Sequence, residues 1–348
     1  METMTAYQLV GWRQPAEFRE VPVPRPGHGE VRIRVGAVGL CHTDILFLES
    51  PAGAFPYPLP MTLGHENAGW VEELGAGVEG FAPGDAVLAD GHQICGRCEF
   101  CRIGADNYCV RGRHRGQGAG VDGGLAPYLV VPQNRLVPLG DLDPRAAAPL
   151  ADAGRTSYHA VRRALPRLRP GSTALVIGAG GLGGYAIQWL RALTEARIVV
   201  ADVAPHRLAL AREFGADETI VSDSATTTVV RELTDGRGAE AVFDFVGNDA
   251  TMRTALDCAR TMGTAALVGA GGGTVAVGWG CVPLECDVYV PLGGNHAELH
   301  DVVTLARAGK VRNLVEVFAF DQTPEAYERV RVGDIKGRAV VTPSYAPR

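Results

Sequence analysis

The chain predicts an α/β protein of two domains, one β-rich and the other built on a doubly wound parallel sheet. Three observations carry this expectation. At 348 residues the chain exceeds what one ordinary core organises. Up to about residue 150, short alternating runs are punctuated by glycine and proline, as in hairpins and tight turns. From about residue 172, apolar strand-like runs alternate with helical stretches, which signals βαβ units and a parallel sheet.

Taken in order, Glu30-Val31-Arg32-Ile33-Arg34-Val35 alternates polar and apolar side chains, as a half-buried strand does. Residues 68–75 and 84–89 are similar short runs bounded by glycine, while Pro22, Pro24 and Pro26 mark an extended loop. Asp143-Pro144 reads as a capped helix start with proline at the first helical position. Residues 156–165 form a linking helix that ends near Pro166. Beyond it, Thr173-Ala174-Leu175-Val176-Ile177 is continuously apolar, as a strand buried on both faces must be. Residues 197–201, 241–246 and 264–268 repeat the theme, with helices expected near 182–194, 205–214, 225–234 and 249–261. After about residue 311 the pattern returns to short strands and one helix, near 324–331.

Composition narrows the function classes. Apolar residues make up 46% and charged residues 21%, so a packed globular protein is expected. A net charge of −6 argues against nucleic acid as a partner, because phosphate binding needs a basic surface. No run approaches the roughly 18 apolar residues of a spanning helix, and no secretory leader pattern opens the chain, so a cytoplasmic protein without membrane contact is expected. In a reducing compartment clustered cysteines read as metal ligands, not disulfides.

Four of the eight cysteines fall in Cys95-x2-Cys98-x2-Cys101-x7-Cys109, a spacing that closes a tetrahedral zinc site without an open position. An iron–sulfur cluster is the rival, but the last spacing is seven and Val110, not proline, follows Cys109. A second ligand-rich stretch is Gly39-Leu40-Cys41-His42-Thr43-Asp44, followed twenty residues later by Gly64-His65-Glu66. A lone cysteine is usually a small buried hydrophobe, which is the bland alternative for Cys41. The first strand of the second half runs into Gly178-Ala179-Gly180-Gly181-Leu182-Gly183, a G-x-G-x-x-G turn opening a helix. Such a turn cradles a dinucleotide pyrophosphate at the helix N-terminus. Asp202, nineteen residues after Gly183, is placed to hold an adenosine ribose and to repel a 2′-phosphate, favouring NAD over NADP.

These motifs, in this order, resemble the zinc-dependent medium-chain alcohol dehydrogenases over essentially the whole chain. The resemblance implies a GroES-like β-rich catalytic domain of residues 1–155 and 293–348 around a Rossmann cofactor domain of residues 156–292, with the cofactor in the cleft between them. It also implies NAD and two Zn2+ per chain, one catalytic and one structural, a small-molecule alcohol, aldehyde or ketone as substrate, and a homodimer or homotetramer. Cys41 and His65 match the first two catalytic zinc ligands, and Asp152 matches the third, with helix capping as its alternative. Glu66 matches a carboxylate behind the metal, Asp44 the partner that orients the ligating imidazole, and Thr43 the hydroxyl that meets the substrate oxygen. His42 and Arg338 match pyrophosphate contacts, although His42 as a solvent-facing histidine is the alternative. Thr156 matches a position beside the nicotinamide, and Val246 and Gly269 complete the expected cofactor-binding set.

The chain departs from the pattern at Leu46, where many relatives carry a proton-relaying histidine. The proton then leaves through Thr43 and the cofactor ribose to water, or through a residue the sequence does not name. Leu46, Tyr57, Leu292 and Gly293 are the expected pocket walls, and the glycines suit bulky or cyclic substrates. His92, His114, His159, His206, His296 and His300 show no usable ligand spacing, and Cys258, Cys281 and Cys286 read as ordinary core thiols. Two other readings keep the scaffold, a zinc-free enone or quinone reductase and a non-enzymatic NAD-binding protein.

Overall fold

The structure is a computed structural model that describes residues 2–112 and 115–343, so His114 lies outside the described residues. The chain divides into two compact units. One holds the chain up to Asp152, Asn295–Ala308 and the part from Asn313 onward; the other holds Ala153–Gly294 and Gly309–Arg312.

The first unit is organised around the strand Glu30–Gly39. It pairs antiparallel with Glu66–Leu74, with Arg338–Thr342 and with Tyr128–Pro132. Ala86–Ala89, Leu136–Pro138 and Val315–Ala319 complete this seven-stranded sheet. Alternation makes the register: Val31, Ile33 and Val35 are fully buried, whereas the arginines between them stay partly exposed. Cation–π contacts of Arg32 over Tyr128 and Arg34 over Trp70 cover the outer face of the strand.

Two helices of this unit escape the periodicity reading. His42–Glu49 follows Cys41 directly, and His296–Arg307 begins at Asn295, whose side chain accepts from the Glu298 N–H while Glu298 reciprocates. The second helix is fastened by a buried ionic network. The Arg135 guanidinium spans Asp90 and Asp106, with 2.7 Å to Asp106. His296 places its Nδ1 3.0 Å from Asp90 and donates its backbone N–H to Asp106 at 3.0 Å. Asp106 lies between Cys101 and Cys109, so the network also anchors the cysteine lobe.

The second unit is a six-stranded parallel sheet in the order Glu218–Val221, Arg197–Asp202, Thr173–Ile177, Ala239–Asp244, Ala259–Leu267, Asp287–Tyr289. Every residue of Thr173–Ile177 is buried, as its continuous apolar run demands. The helices Gly181–Leu193, Pro205–Glu213, Thr226–Leu233 and Asp249–Cys258 fall within a few residues of the expected stretches. Trp189 is wholly buried, and its indole N–H is satisfied by the Gly154 carbonyl at 2.9 Å.

Replacing Arg135 by leucine strands two buried carboxylates, at a cost of about 3–5 kcal/mol. Urea unfolding of Arg135→Leu against the parent protein, followed by tryptophan fluorescence, measures that loss.

Candidate active site and metal centres

The registration of two strands explains how Cys41 and His65 meet. Gly39 pairs with Glu66, so the residues just beyond one strand end and just before the other face each other. Glycine at position 39 is required sterically, because a Cβ there would stand 1.8 Å from Glu66 Oε2. The chain then turns into the His42–Glu49 helix, with the Asp44 carboxylate accepting the Cys41 N–H at 3.2 Å. That bond aims the Cys41 thiol and holds Asp44 in place in one stroke.

Asp44 is fully buried and sets its Oδ1 2.9 Å from His65 Nδ1. The other ring nitrogen, Nε2, is thereby presented to Asp152 Oδ2, 3.6 Å away. Cys41 Sγ is 3.7 Å from the same Asp152 oxygen. Asp152 ends the 3₁₀ turn Ala148–Ala151 and turns its carboxylate toward the other two. Tetrahedral zinc with ordinary bond lengths separates sulfur from oxygen by about 3.5 Å and nitrogen from oxygen by about 3.3 Å. The three side chains therefore fit a zinc ion with small adjustments, and among the described residues they form one of two groups able to hold a metal. A thiolate and a carboxylate together also balance a dication.

Electrostatics agrees with the geometry. Burial works against charge on the His65 imidazole, yet Asp44, with hydrogen bonds to Asp152, Asp44 and Cys41, raises its pKa well above the usual value. A positive centre at this point is thus favoured by the acidic and thiol side chains around it, against the effect of burial. Behind it, burial pushes the Glu66 carboxyl up to about 7, against the pull of Arg338. Arg338 donates to Glu66 at 2.6 and 3.1 Å, and both side chains are buried. Thr43 Oγ1 lies 3.5 Å from Cys41 Sγ, beside the ligand atoms. Leu46 is 43% exposed on the same helix, and Tyr57 packs on Phe47 and Phe55 and feels the charge of His65. His42 is exposed at the start of that helix.

In the lobe, the sulfurs of Cys95, Cys98, Cys101 and Cys109 lie within 4.8 Å of one another. Cys98 Sγ and Cys101 Sγ are 3.5 Å apart, against about 3.8 Å in a tetrahedral zinc thiolate. Backbone N–H groups point at the sulfurs: Cys95 and Gly112 donate to Cys109, and Cys98 donates to Cys95. Such donors lower the pKa of Cys95 and Cys98; at Cys109 they outweigh burial. Cys101 is pushed up to about 12 by burial and then by its sulfur neighbours. A dication bound among the four sulfurs would favour the thiolate form of each.

The glycine turn has the features a phosphate cradle needs. Gly178 adopts φ +86°, a left-handed conformation that favours glycine. Gly180 faces open space, with no protein atom within 4 Å of where its Cβ would be, so a ligand backbone can approach. A Cβ on Gly183 would stand 1.9 Å from the Gly178 carbonyl oxygen. Gly181 and Leu182 open the following helix and offer its free N–H groups. Asp202, at the end of its strand, accepts from the Ala179 N–H at 2.7 Å and the Ala204 N–H at 2.8 Å. It therefore shapes the turn, a duty the motif does not announce. Val246 Cγ2 sits 2.7 Å from the position of a Gly178 Cβ, and Gly269 packs against the Val246 backbone, so these positions gather at neighbouring strand ends. Asp244, which the sequence reading passes over, is buried there and caps the Val246 and Gly247 N–H groups. Thr156 is buried on the Ala153–Ala164 helix, while Leu292 is 46% exposed and Gly293 has φ +52°.

Two family models match the chain. The alcohol dehydrogenase GroES-like domain covers residues 27–141, and the zinc-binding dehydrogenase family covers residues 181–308. The NAD-dependent alcohol dehydrogenase of Sulfolobus acidocaldarius is 34% identical over 355 residues, spanning 97% of this chain and 99% of that one. D-arabinose 1-dehydrogenase (NADP(+)) of Saccharolobus solfataricus is also 34% identical, over 96% of either chain. The crystal structure of the alcohol dehydrogenase from Aeropyrum pernix matches with a TM-score of 0.91 at 36% identity, covering 97% of this chain and 100% of that one.

Alanine at Gly183 forces a methyl group against the Gly178 carbonyl, an overpacking of about 1–3 kcal/mol. NADH fluorescence titration of Gly183→Ala should show affinity about tenfold weaker or worse.

Proposed function

The chain belongs to the zinc-dependent medium-chain alcohol dehydrogenases, and from that footing we propose reversible hydride transfer between NAD and a primary or secondary alcohol, giving an aldehyde or ketone. The convergence of Cys41 Sγ, His65 Nε2 and Asp152 Oδ2, with the Thr43 hydroxyl beside them, is the observation that carries this reading. Three protein ligands leave a fourth position open for substrate, in contrast to the closed four-thiolate site of the lobe. A zinc ion in this site supplies Lewis acidity, the property that lets a hydroxyl lose its proton near neutral pH.

The residues divide the remaining work. Cys41 and Asp152 provide negative charge, and a carboxylate in place of a second thiolate makes the donor set harder. Asp44 fixes the His65 tautomer and ring plane, so that Nε2 rather than Nδ1 faces the metal position. Thr43 Oγ1 accepts the hydrogen bond of the alcohol and, as that proton moves onto it, passes its own hydroxyl proton on. Leu46 offers no group to receive that proton, so this position does not extend the relay beyond Thr43. The glycine turn and the helix N-terminus bind the NAD pyrophosphate, and Asp202 accepts from the adenosine ribose and disfavours a 2′-phosphate. Arg207 stands 3.9 Å from Asp202 at the same strand end. Arg338 holds Glu66 behind the metal position, and any contact of Arg338 with the pyrophosphate would share the guanidinium with that carboxylate.

Cys41→Ser and His65→Ala should each lower alcohol-dependent NADH production by more than about a hundredfold, beyond the loss typical of a supporting residue. NADH binding followed by fluorescence should survive in both, and metal analysis should fall from two ions per chain to one. Near-normal turnover in either variant with the metal absent would refute the assignment.

A further inference from the structure

Asp244 ends the strand Ala239–Asp244 and is fully buried although it carries a carboxylate. Such burial is costly unless the oxygens are bonded, so the partners of Asp244 say what it is for. Oδ1 accepts the Val246 N–H at 2.9 Å and the Gly247 N–H at 3.1 Å, while Oδ2 accepts the Thr251 hydroxyl at 2.9 Å. The backbone carbonyl of the same residue accepts the Val268 and Gly269 N–H groups, at 2.8 and 2.9 Å. One residue thus ties the turn leaving its own strand to the turn leaving the next, Ala259–Leu267.

The two turns touch where only glycine fits. Gly247 has φ +79°, and a Cβ there would stand 2.0 Å from the Gly269 carbonyl oxygen. A Cβ on Gly269 would stand 2.3 Å from the Val246 carbonyl carbon. Packing this close leaves the turns little room to shift separately, and Asp244 sets where both lie. What they present is Val246, which is 38% exposed and whose Cγ2 borders the first glycine of the phosphate turn, Gly178. The sheet order tells which half of a dinucleotide meets it. From Thr173–Ile177 the sheet runs through Arg197–Asp202 in one direction and through Ala239–Asp244 in the other. A dinucleotide lies across such a reversal, one nucleotide to each side. Asp202 marks the adenosine side, so the nicotinamide half falls on the side of Asp244.

We propose that Asp244 is a positioning residue for the nicotinamide half of the cofactor, its carboxylate holding the turn that presents Val246. This role rests on the NAD reading of the glycine turn. Asp244 lies buried beneath the turn and acts through the backbone it holds. Alanine at this position leaves the Val246 and Gly247 N–H groups without their acceptor. Asparagine keeps an acceptor oxygen for them and donates to the Thr251 hydroxyl, whose own hydrogen then turns to the Asn248 carbonyl 3.2 Å away.

Calorimetric titration of the full-length protein with NADH, and separately with AMP, tests this, since AMP carries the adenosine half alone. Asp244→Ala should weaken NADH about tenfold, as expected when buried N–H groups lose their acceptor. AMP affinity should stay within about twofold of the parent, because the two halves of the site are separate. Asp244→Asn should recover most of the lost NADH affinity. Unchanged NADH affinity in Asp244→Ala overturns the proposal, as does an equal loss for AMP, which a general loosening of the sheet would produce. Asparagine performing no better than alanine overturns it too, because the acceptor would then be irrelevant. A parent protein that binds neither ligand would instead overturn the dinucleotide reading itself.

Discussion

The site depends on one strand pairing, Gly39 against Glu66 in the sheet of the first unit. That register decides which side chains face the end of the sheet and brings Cys41 and His65 together. It holds only because position 39 lacks a side chain, leaving its space to the Glu66 carboxylate. Burying that carboxylate would be costly alone, and Arg338, on the far side of the central strand, offsets the cost through two hydrogen bonds. Sheet register, a missing methyl group and a buried ion pair are thus one arrangement seen at three scales.

The two metal-ligand groups show how different supports suit different tasks. The four-cysteine lobe surrounds its sulfurs with backbone N–H donors, which favour thiolate without needing any distant partner. It is local, closed and chemically quiet. The Cys41, His65 and Asp152 group draws its ligands from three separated segments, and its second layer reaches across the unit to Arg338. Such a centre can be tuned by residues far away in sequence, because its ligands are held by packing and charge and not by the chain alone.

Much of this was legible before the fold was seen, for reasons that can be named. The buried strand Thr173–Ile177 announces itself because a sheet covered on both faces has no polar positions to interrupt the run. The cysteine spacing and the glycine turn are short-range patterns, so their geometry follows from neighbours in the chain. The helix His42–Glu49 was hidden because Ile45 and Phe47 are buried while Leu46 between them is exposed, which blurs any amphipathic face. The helix His296–Arg307 carried a readable signal, Asn295 with Glu298 three residues later, that the reading of the second half did not use. Its fastening to Asp90 and Asp106 was not readable, since His296 meets Asp90 across 206 residues. Asp244 likewise carries no local mark, because what makes it matter is a turn brought to it by folding.

The ion pair between Glu66 and Arg338 joins residues 272 apart in the chain. During synthesis the strand bearing Glu66 emerges long before the strand bearing its partner. Until Arg338–Thr342 arrives, the central strand lacks a neighbour and the carboxylate has water in place of a guanidinium. The lobe, complete by Cys109, has no such wait. A nascent chain is therefore able to assemble its structural thiolates early, while the floor beneath the catalytic ligands closes only after the strand bearing Arg338 has been made, a timetable set by topology alone.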